Sequence, residues 1–231
     1  MTLIMGKGIQ AQDTEKKEEK KPALTGEYNS TFSAKNTPLG YIVGKGPHHK
    51  STLSSSWKGF NTFIWQDYDI GDQKLLERDY GVNYEKDVNK KTSVNFGYTY
   101  WNYIGGGHDN VISLGLNHSG NVNSGLSYLY FFEKEESKPA HAFKVNISKN
   151  YGLTDKLTLT PSVEAACIKN TFGGDTGFSN VNAGLNLDYI LNNHFTVSGF
   201  VNGQLGFIHE TASGFPIDNA MNCGLSIDAS F

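Results

Sequence analysis

The stretch MNCGLSIDASF, residues 221–231, decides the fold. Its alternate residues Met221, Cys223, Leu225, Ile227, Ala229 and Phe231 are apolar, and those between them, Asn222, Gly224, Ser226, Asp228 and Ser230, are small or polar. A period of two puts each set on its own face of a β-strand. One face wants an apolar surround; the other wants water or polar neighbours.

The same period runs back along the chain almost to Ala23. In NVNAGLNLDY (180–189), Val181, Ala183, Leu185, Leu187 and Tyr189 oppose Asn180, Asn182, Gly184, Asn186 and Asp188. In TSVNFGYTYWNY (92–103), Val94, Phe96, Tyr98 and Tyr100 oppose Ser93, Asn95, Gly97 and Thr99. Twelve such segments can be drawn, broken at turn residues; Lys58-Gly59 is a two-residue hairpin signal. The seventh, SGLSYLYFF (124–132), leaves its register open because both faces are apolar.

The connections differ in length. Those near Lys58-Gly59, Asn89-Lys90, 150–156 and Asn192-Asn193 are turns, whereas 35–48, 168–177 and 208–216, with a shorter one at 134–139, are loops. A barrel threaded through a membrane has reason to gather turns at one rim and loops at the other; a soluble sandwich has none. The polar face is rich in Asn, Ser, Thr and Gly, unlike the Lys- and Glu-rich outer face of a soluble sheet. Tyr28, Tyr68, Tyr80, Tyr100, Tyr103, Tyr128, Tyr130, Tyr151, Tyr189, Trp57 and Trp65 suit two aromatic girdles. Backbone in a bilayer must pair internally, and only closure leaves no edge. The expectation is an all-β chain: a single antiparallel up-and-down transmembrane β-barrel of twelve strands over residues 23–231. The alternative is a soluble β-sandwich or lipocalin-like barrel. Twelve strands leave a narrow lumen, and the connections are short enough that no plug loop is expected.

Composition agrees. Apolar residues are 38%, aromatic residues 13%, and Gly numbers 26, which suits strands and tight turns better than helices. No apolar run reaches the length of a membrane-spanning helix. The net charge of −3, with Arg78 the only arginine among the basic residues, argues against a nucleic-acid partner. Cys167 and Cys223 fall on apolar faces and read as unpaired small apolar residues. Residues 1–22 read as a signal-peptide remnant, MTLIMGKGIQAQD, followed by the flexible charged tail TEKKEEKKP.

No catalytic, metal or cofactor site emerges. His118 and Ser119 in NHSG are adjacent, so they point to opposite faces, and a base cannot reach its nucleophile. His108 and Asp109 in GGGHDN are too few ligands for a metal, and no helix follows to bind phosphate. His48-His49 is a lone pair in the first loop. Charge on the polar face is more informative. By parity, Glu27, Glu77, Asp79, Glu85, Glu164, Asp188, Asp218 and Asp228 face inward, with Lys144 and Lys156 among few cations. These either pair with lysines, water and Asn to fill the barrel or line an acidic pore. Arg78 lies on the other face near a rim, where it would snorkel.

The stretch MNCGLSIDASF resembles the closing strand of Gram-negative outer-membrane barrel proteins. WKGFNTFIWQDYDIGDQKLLERDYGVNYEKDV (57–88) is similar to a group of uncharacterised porins of about this length. In outer-membrane barrels the last strand is read by the insertion machinery. The resemblance therefore implies an outer-membrane location and a twelfth strand closing on the first, with Phe231, Ile227 and Leu225 as an assembly signal. It implies outer-membrane lipids, lipopolysaccharide and the barrel assembly machinery as partners and leaves a homo-oligomer open. NHSG differs from outer-membrane phospholipase A, a twelve-stranded barrel whose His and Ser are separated by one residue, so catalysis is not expected. The function that fits is a porin-like channel passing ions or small polar solutes passively through a narrow, mildly acidic lumen. A filled structural barrel is the alternative, and a lipid hydrolase is third.

Overall fold

Each alternating segment forms a strand, and each strand pairs antiparallel with the next in sequence. The computed structural model describes residues 24–37, 39, 41, 46–132, 139–171, 175–208 and 217–231. The tail read from residues 1–22 lies outside the described residues. The strands are β1 (Thr25–Ser33), β2 (His48–Trp57), β3 (Phe60–Asp69), β4 (Lys74–Asn89), β5 (Thr92–Tyr103), β6 (Gly107–His118), β7 (Asn123–Phe132), β8 (Ala140–Ser148), β9 (Tyr151–Gly152), β10 (Leu157–Thr171), β11 (Asp175–Ile190), β12 (Phe195–Gly206) and β13 (Ala220–Ser230).

The ring closes where β1 meets β13, with Glu27 opposite Ser230, Asn29 opposite Asp228 and Ser33 opposite Gly224. Beyond the last pair, Gly26 N–H donates to the Phe231 carbonyl at 2.7 Å and Phe231 N–H returns to Gly26 at 2.9 Å. The Phe231 ring lies over Gly26, where a Cβ would collide with it. Twelve strands make the closed barrel; β9 is a two-residue extra that pairs only with β10, inside the turn after β8. Closure satisfies every strand edge, which a bilayer demands.

Register carries the alternation around the wall. Tyr28, Leu53, Ile64, Tyr80 and Tyr100 stand opposite one another in successive strands. All but Tyr100 are among the exposed large apolar residues, with Leu185, Leu225, Ile227 and Phe143 elsewhere on the outer wall. Leu225 is 63% exposed, which only lipid makes favourable for so continuous a band. Cys167 and Cys223 sit exposed and unpaired on this wall.

The up-and-down path puts connections 58–59, 90–91, 119–122, 149–156 and 191–194 on one rim, with the start of β1 and the end of β13. The connections 34–47, 70–73, 104–106, 133–139, 172–174 and 207–219 lie on the other. We call these the turn rim and the loop rim. Lys58 and Gly59 both have positive φ, 48° and 87°, the backbone of a type I′ hairpin.

Three expectations need correction, and one open reading is settled. The loop drawn at 168–177 is mostly strand: β10 and β11 extend past the neighbouring strands and leave only 172–174 between them. Register shifts at Ala166/Cys167 and Ile168/Thr171 absorb the irregular residues, with Asn170 at φ 55°. Trp65 is buried and Tyr103 half-buried inside the barrel, so neither belongs to a girdle. The open register of β7 is settled by its neighbours: Tyr128 and Tyr130 pair beside Leu114 and Ile112 outside, so Leu129 and Phe131 point inward. Leu39 and Tyr41, between β1 and β2, also do not stay clear of the lumen.

Candidate functional site: the barrel lumen

The turn-rim half of the interior is built from a repeated cross-strand device. Asn83 stands opposite Gly97, Asn95 opposite Gly115, Asn146 opposite Gly125 and Asn202 opposite Gly184. In each pair the amide lies where a Cβ on the glycine would be. This explains the Asn- and Gly-rich polar face: a bare glycine leaves room for the neighbouring amide to lie along the wall.

Charges are set into this lining. Asn29 donates to Asp228 at 2.6 Å, and Asn186 and Ser198 both donate to Asp188 at 2.6 Å. Ser93 donates to Glu85 at 2.7 Å, and Lys144 pairs with Glu164 at 2.9 Å across β8 and β10. Glu27 is exposed near the turn rim. Two residues sit elsewhere than their parity suggested. Lys156 is exposed in the turn before β10, and Asp218 lies outside the strands, its carbonyl accepting from Gln204.

The loop-rim half is different. Lys50, Asp67, Glu77 and Tyr103 form one inward row, directly opposite one another across β2, β3, β4 and β5. Asp79 lies one inward position from Glu77 on β4; Asp67 and Asp79 are wholly buried, and Glu77 nearly so. His48, far from being a free loop residue, starts β2 fully buried and donates through Nδ1 to Asp67 at 2.9 Å. Asn36 holds the other Asp67 oxygen at 2.6 Å, and Asn102 N–H reaches Asp79 at 3.2 Å. Tyr103 donates to Asp109 at 2.9 Å.

Beside this charged wall sits an apolar cluster. Trp101, Val111, Leu129, Phe131, Ala142 and Ile168 come from β5 through β10, and Leu39, Tyr41 and Ile217 come down from the connections. Trp101 meets Phe131 edge-on at 5.1 Å. Leu39 and Tyr41, from between β1 and β2, thus sit in the mouth. Its Tyr41 hydroxyl shares hydrogen bonds with Thr171 at 3.0 Å and Asp175 at 2.9 Å, and Ser179 donates to the Leu39 carbonyl at 2.5 Å. Burial pushes the Tyr41 phenol above its ordinary pKa, so it stays a donor to Asp175. Leu39 takes a positive φ of 49° to make this turn.

Of the residues named from sequence, Leu225, Ile227 and Phe231 are exposed on the outer wall. His118 ends β6 with Nδ1 against Thr92 at 3.2 Å, and Ser119 lies past the strand. The sequence reading missed Lys50, Asp67 and Asn36 and placed His48 in a loop, although the spacing of Asp67 and Asp69 along β3 was a legible signal.

No protein-family model matches the chain, and no curated protein matches it by sequence. Solved structures do. A NanC porin superposes with a TM-score of 0.61 at 11% identity, covering 87% of this chain and 98% of the porin. A KdgM porin gives 0.58 at 12% identity over 90% and 99%. KdgM in complex with disordered oligogalacturonate gives 0.56 at 13% identity over 90% and 99%. The fold is that of an outer-membrane porin.

Proposed function

We propose that the chain is an outer-membrane channel passing cations and small neutral polar solutes passively, with its narrowest point where Leu39 and Tyr41 enter the loop-rim mouth. The observation that carries this is the sign of the interior charge. Lys144 is matched by Glu164, and Lys50 stands between Asp67 and Glu77, while Asp188 and Asp228 face no lysine in the contacts described above. Fixed charge in a narrow low-dielectric tube acts strongly on passing ions. The chain's one arginine, Arg78, is on the outer wall, so the interior has no guanidinium to hold an acidic sugar chain such as the oligogalacturonate bound by KdgM.

The turn rim then faces the periplasm. Leu225, Ile227 and Phe231 serve as the assembly signal for the barrel insertion machinery, with Phe231 packed over Gly26 at the closing seam. Association of identical copies stays open.

The test is a reversal potential in a salt gradient across a planar bilayer. Wild type should favour cations, and Asp188→Asn with Asp228→Asn should weaken that preference while the barrel still folds. Anion selectivity would overturn the proposal. The apolar cluster around Leu39 and Tyr41 supports a second reading, a filled structural barrel, which absence of any current would favour.

A further inference from the structure

The outer wall carries a feature that a lipid-facing surface should not have. Ser30, Ser51, Gln66 and Arg78 stand directly opposite one another across β1, β2, β3 and β4, back to back with the inward row of Lys50, Asp67 and Glu77. Arg78 donates to Gln66 at 3.3 Å and Gln66 to Ser51 at 3.1 Å, while Ser30 meets His49 Nε2 at 2.9 Å. Two concavities, each of about 320 Å³, open on either side of this row. One is bounded by Tyr28, Leu53, Ile64 and Tyr80, the other by His49, Tyr68 and Leu75. The small Ser51 between long neighbours makes them.

Arg78 is the fifth residue of β4 from the loop rim, so it sits in the leaflet on that side, within reach of the headgroup region. Its described partner, Gln66, is neutral. Every Asp and Glu of the described strands has its register or contacts on the interior face: for example, Asp67, Glu77 and Asp79 on β3 and β4, and Asp188 and Asp228 on β11 and β13. The described strands of a second copy docking wall to wall would therefore bring Arg78 no carboxylate. In this leaflet the lipid headgroup supplies the anion.

We propose that the Arg78–Gln66–Ser51 row is a binding site for the phosphate of an anionic lipid in the loop-rim leaflet, with its acyl chains lying in the two flanking concavities. The guanidinium supplies a charge-assisted hydrogen bond, and Tyr68, nearer the loop rim, bounds the site with a ring whose hydroxyl suits the headgroup level. The inference rests on the membrane reading but not on conductance.

The experiment is native mass spectrometry of the whole chain refolded in phosphatidylcholine vesicles containing either bis-phosphorylated or fully dephosphorylated lipid A. The phosphorylated form should be retained preferentially. Arg78→Leu, which suits a lipid-facing wall and should fold, should weaken that retention about tenfold or more, the loss of one charge-assisted contact. Arg78→Lys should restore part of it. Equal retention of the two lipids, or retention unaffected by Arg78→Leu, would overturn the proposal. Displacement by inorganic phosphate would overturn it in favour of a free-anion site, and wall-to-wall dimers in place of bound lipid would overturn it in favour of a second copy.

Discussion

The two ends of the barrel interior obey the same alternation and yet are different materials. At the turn rim the wall is glycine and asparagine in facing pairs, its carboxylates hydrogen-bonded but half-open to the lumen. At the loop rim Trp101, Phe131 and Leu129 occupy the same inward parity, and Asp67, Asp79 and His48 are 0% exposed. What separates the halves is the connection 34–47, which brings Leu39 and Tyr41 into the mouth. Strand periodicity decides which residues point inward, and a neighbouring segment decides whether inward means wet or packed.

The largest expected contrast is in stability. Trp101→Ala, which empties the centre of the mouth cluster, should cost about 3–5 kcal/mol, whereas Asn186→Ala at the base should cost less than about 1 kcal/mol. Urea unfolding in lipid vesicles measures both; equal losses would erase the distinction between the halves. Next comes the wall itself. Leu185→Arg or Ile227→Arg should cost about 2–4 kcal/mol near the bilayer midplane, with Asn186→Arg milder because it enters the wet lumen. Equal folding of all three would break the parity assignment. Tyr41→Phe removes one hydroxyl shared with Thr171 and Asp175 and should cost about 1–2 kcal/mol. A variant as stable as wild type would mean that the loop is not anchored there. The smallest change is Lys144→Met, which leaves Glu164 partly exposed without its partner. It should move stability by about 1 kcal/mol or less yet increase cation preference in a salt gradient.

The barrel was legible because a period of two persists through nearly every strand, and because turn residues such as Lys58-Gly59 mark the breaks. The base of the lumen was legible too: Asn186, Asp188 and Asp228 lie on clean alternating strands. The mouth was not. SGLSYLYFF has apolar residues on both faces because one face meets lipid and the other a packed cluster, and parity alone cannot rank two apolar faces. His48 looked like a loop residue because its partner, Asp67, becomes its neighbour only when β2 pairs with β3. Tyr41 and Asp175 lie far apart in sequence, and no local pattern announces their hydrogen bond. The extension of β10 and β11 was hidden by the glycines of TFGGDTGF, which read as a loop but leave only 172–174 between the strands.

The central claim is that solutes cross this lumen and that connection 34–47 sets the limit. Single-channel conductance of wild type against the double variant Leu39→Ala/Tyr41→Ala, both refolded into planar bilayers, tests it most directly. The account predicts a small cation-preferring conductance that rises several-fold in the variant and keeps its cation preference, because the carboxylates of the base are untouched. An unchanged conductance in a correctly folded variant, or a reversal toward anions, would contradict it.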